Sequence, residues 1–455
     1  VFKLGLLSLL GGVVSAVVAI LVNSLPAAVL AIGLWLFAIE VTLLAKAAGG
    51  FSATVLPVLS VSGACLSALL FWNQIRAEAI VSIRFRVSDE YLIQGALIGI
   101  VFCAAFTVGA LLAGPRGIRM SKATVQESIS ELGSSLPISD GALLAVGYGG
   151  IAVAGYAWQG ALLEGRYLSA NGPTWAVSVA ILLTPISIVC LCIVAAKPGP
   201  LRGLAILGVA LWVGLLFARS SRSLALIPIM LFSGAALAGR KTSLSAVALT
   251  GVTTVFLLQL SLVGRVNPKG VGLIPLSDQL FARFGEAASE ISPYALLGNI
   301  IIAGPQAAVV ANRPITAEAF WVSINPLPGG LAGWPEIGPS LRFTKSMPYN
   351  ALGELGSHGW ILLVAVAGLA GFVLALSTRL ASSLTGAAAT IAALLVLGCA
   401  VFFSLSVLQY NLRSSMRIAY YALLGVGAIW FAQVYSAGER PRLPLTKVAR
   451  GSERR

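Results

Sequence analysis

Charge is scarce in this chain and histidine almost missing: Asp, Glu, Lys and Arg together make up 10% of the residues, and the single histidine is His358. Soluble domains carry roughly a quarter charged residues, so the scarcity excludes an ordinary soluble protein. The five cysteines, Cys65, Cys103, Cys190, Cys192 and Cys399, all fall inside apolar runs. They read as small apolar residues, which leaves no disulfide framework and no thiolate set for a metal. No other ligand cluster suits a divalent cation, so neither metal nor cofactor is expected. Acidic residues are also few, 16 against 30 basic ones, for a net charge of +14. That excess needs no nucleic acid, because it lies in short loops and a basic tail able to rest on anionic lipid.

What the chain does have is apolar sequence: 58% of residues are hydrophobic and the mean hydropathy is +0.94. A bilayer core of about 30 Å needs about 20 apolar residues per helix, and a backbone in lipid must satisfy its own hydrogen bonds. The fold class expected is an all-α polytopic membrane protein of about twelve transmembrane helices with one large external loop containing short helices. The spans fall at about 4–22, 26–45, 51–72, 93–114, 141–163, 173–196, 201–218, 222–238, 243–263, 359–377, 383–407 and 415–437. Lys3 precedes an apolar run with no small-residue cleavage site, so the first helix is expected to stay.

Orientation follows from the basic residues. The tail 438–455 carries Arg440, Arg442, Lys447, Arg450, Arg454 and Arg455 against Glu439 and Glu453, which places it in the cytoplasm. Counting back puts Arg116, Lys197, Arg240 and Arg379 inside as well. It leaves residues 264–358 and the turn Arg219 to Arg222 outside. The chain thus divides into helices one to nine (1–263), the external loop (264–358), helices ten to twelve (359–437) and the tail.

The external loop is rich in Pro, Gly and Trp. Asp278 to Ala287 reads as a short amphipathic helix with Pro275 as a start signal. Ile291 to Val310 is apolar but broken by Pro293, Gly298, Gly304 and Pro305, a pattern suited to a re-entrant or interfacial segment. The loop closes with Pro348-Tyr349-Asn350-Ala351-Leu352-Gly353-Glu354-Leu355-Gly356-Ser357-His358, which enters the tenth span directly.

Arg219 and Arg222, three apart at a helix end, are expected on one face. Their planar forks match phosphate oxygens, although two snorkelling arginines would look the same. Arg265, Arg342 and Lys345 add external cations that also read as solvated loop charges. Glu40 is a carboxylate in mid-span, by default a functional candidate.

The turn Arg219-Ser220-Ser221-Arg222-Ser223, the large external loop and the Pro348 to Gly356 motif together resemble the Wzy-type O-antigen and oligosaccharide repeat-unit polymerases. O-antigen ligases and SEDS glycosyltransferases share that architecture. The resemblance covers about residues 201–377. It implies a bacterial inner-membrane enzyme whose active site faces outside, with undecaprenyl-pyrophosphate-linked glycans as donor and acceptor. It admits a chain-length regulator as a further partner beside the membrane lipids. Arg219, Arg222, Arg265, Arg342, Lys345, Tyr349 and Asn350 become the expected substrate-binding residues, and Glu354, ahead of His358, the expected general base. Many relatives begin this motif His-Asn; here Tyr349-Asn350 stands in its place and His358 lies eight residues beyond Asn350. Glu354 reads equally as an acid complementing a helix N-terminus, and His358 as a wet residue before a span. The rival classes are a ligase and a secondary transporter or flippase. A transporter built of two similar halves would carry its long connection in the middle and inside.

Overall fold

The computed structural model describes residues 2–22, 24–78, 87–117, 139–159, 162–163, 173–240, 243–265, 272–282, 298, 300–327, 329–344 and 347–436. Among them the chain is helical almost throughout. In order come α1 (Phe2–Val22), α2 (Leu25–Ala48), α3 (Val55–Glu78), α4 (Asp89–Ala113), α5 (Asp140–Trp158), α6 (Thr174–Ala196) and α7 (Arg202–Ala218). A 3-10 turn (Arg222–Leu226) leads to α8 (Ile227–Leu237), followed by α9 (Leu244–Arg265) and α10 (Leu273–Ala282). Then come α11 (Ala303–Ala311), α12 (Ala317–Ile324) and α13 (Trp334–Ile337). A small antiparallel ribbon, β1 (Arg342–Thr344) with β2 (Met347–Pro348), precedes α14 (Ala351–Ser357). The chain continues as α15 (Trp360–Ala381), α16 (Gly386–Gln409) and α17 (Leu412–Ser436).

Seven of these helices, α2, α4, α5, α6, α15, α16 and α17, are long and apolar enough to cross a membrane. This is an all-α membrane protein. Each of the other five expected spans holds an apolar stretch of 10–17 described residues, in α1, α3, α7, the segment of α8 with the turn before it, or α9. Side chains such as Ile20, Leu112 and Ile361 lie at the surface of their helices, 77–85% exposed, as lipid contact requires.

Local chemistry explains the helix ends. Ser24 caps α2 by accepting from the Ala27 amide, Pro26 sits in its first turn, and Gly49 closes it in the left-handed region at φ 67°. Ser139 caps α5 through the Ala142 amide. The expected span at 222–238 is not one α-helix: Pro228 has no N–H to return to Leu224, so the residues before it take a 3-10 turn. The expected helix at 278–287 instead occupies Leu273–Ala282 with Pro275 in its first turn, and residues 283–287 lie outside the described residues. The tenth span does not continue directly from the motif before it. Gly359, at φ 91°, separates α14 from α15.

By packing, the chain divides into two compact units, one of Val1–Leu70, Val87–Arg119 and Ile302–Arg455, the other of Phe71–Arg86 and Met120–Ile301. Residues 264–358 are therefore shared between the units.

In the first unit α4 and α15 cross closely. A Cβ at Gly109 would overlap the Gly368 carbonyl, and one at Gly371 would overlap that of Phe106. Around this crossing Phe102, Phe106, Phe403, Leu363 and Leu374 form the core, with the Phe106 and Phe403 rings 6.0 Å apart. The short helices α11 and α14 are buried in the same core through Ala303, Ala307, Leu352 and Leu355. From Ile302 to Val310 the segment expected to be re-entrant is thus mostly interior, whereas Ile300 is exposed; 291–297 and 299 lie outside the described residues.

The second unit has its own core around Leu191, Trp212, Leu216 and Trp158. The buried Ser187 hydroxyl donates to the Gly147 carbonyl at 2.6 Å and accepts from Trp212 Nε1 at 2.7 Å. Lys197 and Asp140 form an ion pair at 2.8 Å.

Candidate functional site

Asn350 starts the site. It is fully buried and caps α14, its Oδ1 accepting from the Gly353 amide at 2.9 Å while its Nδ2 donates to the Ala303 carbonyl at 2.7 Å. Both ends of the amide are thus engaged in the fold. Gln306, on α11, donates to the Pro348 carbonyl at 2.9 Å, and the Ala351 amide donates to the Tyr410 carbonyl at 2.9 Å. Gly353 has no room for a side chain, since a Cβ there would meet Val310 and the Ala307 carbonyl. These ties hold α14 against α11 and the loop before α17.

Glu354 lies one turn into α14 and is 2% exposed. Burial raises its carboxyl to about 8; the Leu412 amide and then the Ser323 hydroxyl favour the ionised form and offset part of that rise. Among the described residues its Oε1 completes no hydrogen bond, and neither does the Ser323 hydroxyl that stands near it. His358 ends the same helix, half-buried, with its ring edge-on to Phe320 at 4.9 Å. Burial lowers the imidazole below its ordinary value, and Nε2 has no partner among the described residues. Phe320 and Ser323 are three apart on α12, so one face of α12 meets both groups. At neutral pH the arrangement presents a carboxylic acid that keeps its proton and an imidazole that has lost one.

Tyr349 is 6% exposed and engaged in a stack. Its hydroxyl accepts from Arg313 at 2.9 Å, its ring meets Phe343 at 4.8 Å, and the Arg313 guanidinium covers Phe343 at 4.6 Å. Arg342 is exposed on β1. Lys345 lies outside the described residues.

The remaining sequence candidates belong to the second unit. Arg219 closes α7 and lies over the Trp158 ring at 4.3 Å. The shared helical face expected for Arg219 and Arg222 does not form. Ser220 takes a left-handed conformation at φ 47°, and Arg222 begins the 3-10 turn beyond it. Backbone positions are described for Arg222 and Arg265, their side chains not.

Two residues that the sequence analysis passed over dominate the other side of α12. Arg413, 2% exposed, donates to the carbonyls of Val322, Asn325 (3.3 Å) and Leu327 (2.5 Å), and its guanidinium lies 5.4 Å from the Trp334 ring. Arg417 donates to the same Leu327 carbonyl at 2.9 Å. Tyr420 donates to Ile324 at 2.9 Å. Together they hold the C-terminal end of α12 and the chain just beyond it. The signal was present as two arginines four apart at the start of an apolar run, Leu412-Arg413-Ser414-Ser415-Met416-Arg417. Glu40 in α2 is 5% exposed and its Oε1 is also without a partner.

The sequence matches no family model and no curated protein, and the chain matches no solved structure.

Proposed function

We propose that this chain is a membrane glycosyltransferase that polymerises undecaprenyl-pyrophosphate-linked oligosaccharide repeat units into a surface polysaccharide, on the external face of the bacterial inner membrane. The observation that carries the reading is the pairing, on one short helix, of a buried carboxyl near 8 with an unprotonated imidazole four residues on. Perturbed acids and bases of this kind collect where protons are moved. The similarity of residues 219–223 and 348–356 to the Wzy-type polymerases supports it. So does the packing of α11, α12 and α14 into a membrane bundle, which gives the segment between spans a rigid frame.

In this reaction the terminal sugar hydroxyl of one lipid-linked glycan attacks the anomeric carbon of another. A new glycosidic C–O bond forms, the bond from that carbon to the pyrophosphate breaks, and undecaprenyl pyrophosphate departs with the electron pair. The hydroxyl proton needs an acceptor. His358 is neutral at pH 7 and half-buried, although its Nε2 is itself buried, whereas Glu354 keeps its proton and is 2% exposed. His358 is therefore the base, and Glu354 holds the helix interior that positions it. This reverses the order expected in the sequence analysis, where Glu354 stood ahead of His358. Within the first unit Arg342 and Lys345 are the cations proposed for the pyrophosphate; Arg219, Arg222 and Arg265, in the second unit, are candidates on the resemblance alone.

The test is the purified protein in nanodiscs with a synthetic lipid-linked repeat unit. A ladder of products spaced by one repeat supports polymerisation; a single transfer to a different acceptor indicates a ligase. A second reading, proton-coupled transport or flipping, is favoured by Glu40, a buried mid-span carboxyl with an unpartnered oxygen. Substrate movement driven by a pH gradient, without glycan product, would decide for it.

A further inference from the structure

Arg413 and Arg417 stand one turn apart on α17 and converge on a single acceptor, the Leu327 carbonyl. A clamp on the end of α12 needs one guanidinium, and Arg413 supplies it through Val322, Asn325 and Leu327. Arg417 repeats a bond already made. Neither arginine has a carboxylate within ion-pair distance among the described residues, and the Nε of each is buried without an acceptor. Carbonyl dipoles offset part of the charge, yet among the described residues two adjacent cations, one of them 2% exposed, have no counter-ion. The pair also sits in the first turns of a long helix, whose N-terminal dipole adds to the positive field. The Arg413 terminal nitrogens are held on carbonyls, so the Arg417 fork is the one that can meet a ligand, and the Arg413 charge beside it favours an oxygen-rich anion such as a phosphate or diphosphate.

The geometry points to the Arg413–Arg417 pair as a binding site for a phosphate group carrying about two negative charges. The group comes either from a phosphorylated lipid headgroup or from a soluble phosphate or diphosphate. The inference rests on charge balance in the first unit and stands whether or not the protein transfers glycans.

The probe is inorganic pyrophosphate, added to the purified full chain in neutral-lipid nanodiscs while thermal unfolding is followed. Wild type is expected to gain Tm with a saturable dose dependence, and Arg417→Gln to bind at least tenfold more weakly. Arg417→Lys should lie between, because it keeps the charge but not the fork. Arg313→Gln is the control for lost net charge and should bind as wild type does, since Arg313 is engaged with Tyr349 and Phe343. In a second arm phosphatidic acid, a phosphomonoester lipid, replaces part of the neutral lipid. Competition with pyrophosphate identifies a headgroup as the source, and additive behaviour identifies a soluble ligand. No stabilisation of wild type by either probe overturns the proposal, as does equal stabilisation of Arg417→Gln. Arg413→Lys, which retains one donor to the carbonyls, covers the case in which Arg417 substitutions lower expression.

Discussion

Glu354 and Ser323 stand near one another in the interior of the first unit, and among the described residues neither Glu354 Oε1 nor Ser323 Oγ completes a hydrogen bond. A carboxyl placed this way is more stable with its proton than without it. That relationship bears on the pH dependence of stability and on the ranking of catalytic roles.

Stability first. The unfolded chain sheds the Glu354 proton near 4.5 and the folded chain near 8. Between those values the folded state holds a proton that the unfolded state has lost, so stability falls as pH rises, on the order of 1 kcal/mol per pH unit. Glu354→Gln removes this cost and should raise Tm relative to wild type at pH 8, with the gap closing toward pH 4.5. A gap that is independent of pH would show that the carboxyl is ionised in the fold. His358 acts in the opposite window, its lowered value costing stability only as pH falls below about 6.5.

On activity, His358→Gln should lower the rate of polymerisation by about two orders of magnitude or more, the usual worth of a positioned base. Glu354→Gln should be milder because it keeps a neutral side chain of the same shape. Initial rates with the synthetic repeat unit in nanodiscs measure both; the reverse ranking would make Glu354 the base.

Asn350→Ala removes an N-cap and a buried bond to Ala303, and should cost about 2 kcal/mol of stability. Asn350→Asp keeps the cap but turns the Ala303 partner from a donor into a second acceptor, so it should be no better. Thermal unfolding of both variants checks this, and a wild-type Tm for Asn350→Ala would mean that the cap is redundant.

Arg219→Ala should reduce polymerisation roughly tenfold to a hundredfold while membrane insertion persists, the effect of losing one charge-assisted bond in the transition state. Arg219→Lys should recover part of it. Because the guanidinium lies over Trp158, Trp158→Leu should weaken the same step by misplacing the cation. Unchanged polymer length and rate in Arg219→Ala would remove the residue from the site.

Much of the frame was legible in the sequence. Seven helices long and apolar enough to cross a membrane, and five shorter apolar stretches, lie where the apolar runs put them. The cysteines lie in helices, and Asn350, Glu354 and His358 are together on α14 and its two caps. The shared face of Arg219 and Arg222 was misjudged. A spacing of three implies one face only while the helix lasts, and it ends at Ala218 before the left-handed Ser220.

The sequence by itself determined the class and the helix positions, because twenty apolar residues in a row leave a backbone no other way to satisfy its hydrogen bonds in lipid. It also determined the caps, since Ser24, Ser139 and Asn350 act on amides three residues away. Tertiary structure alone decided the chemistry of the site. Whether Glu354 is an exposed helix-terminal acid or a buried one depends on Ser323 and Leu412, and whether Arg413 is a loop charge or an interior clamp depends on residues 322–327. Those partners lie 31 to 91 positions away in the chain. Burial and dielectric environment are set by what packs around a group, and a group's own neighbours in sequence do not specify that.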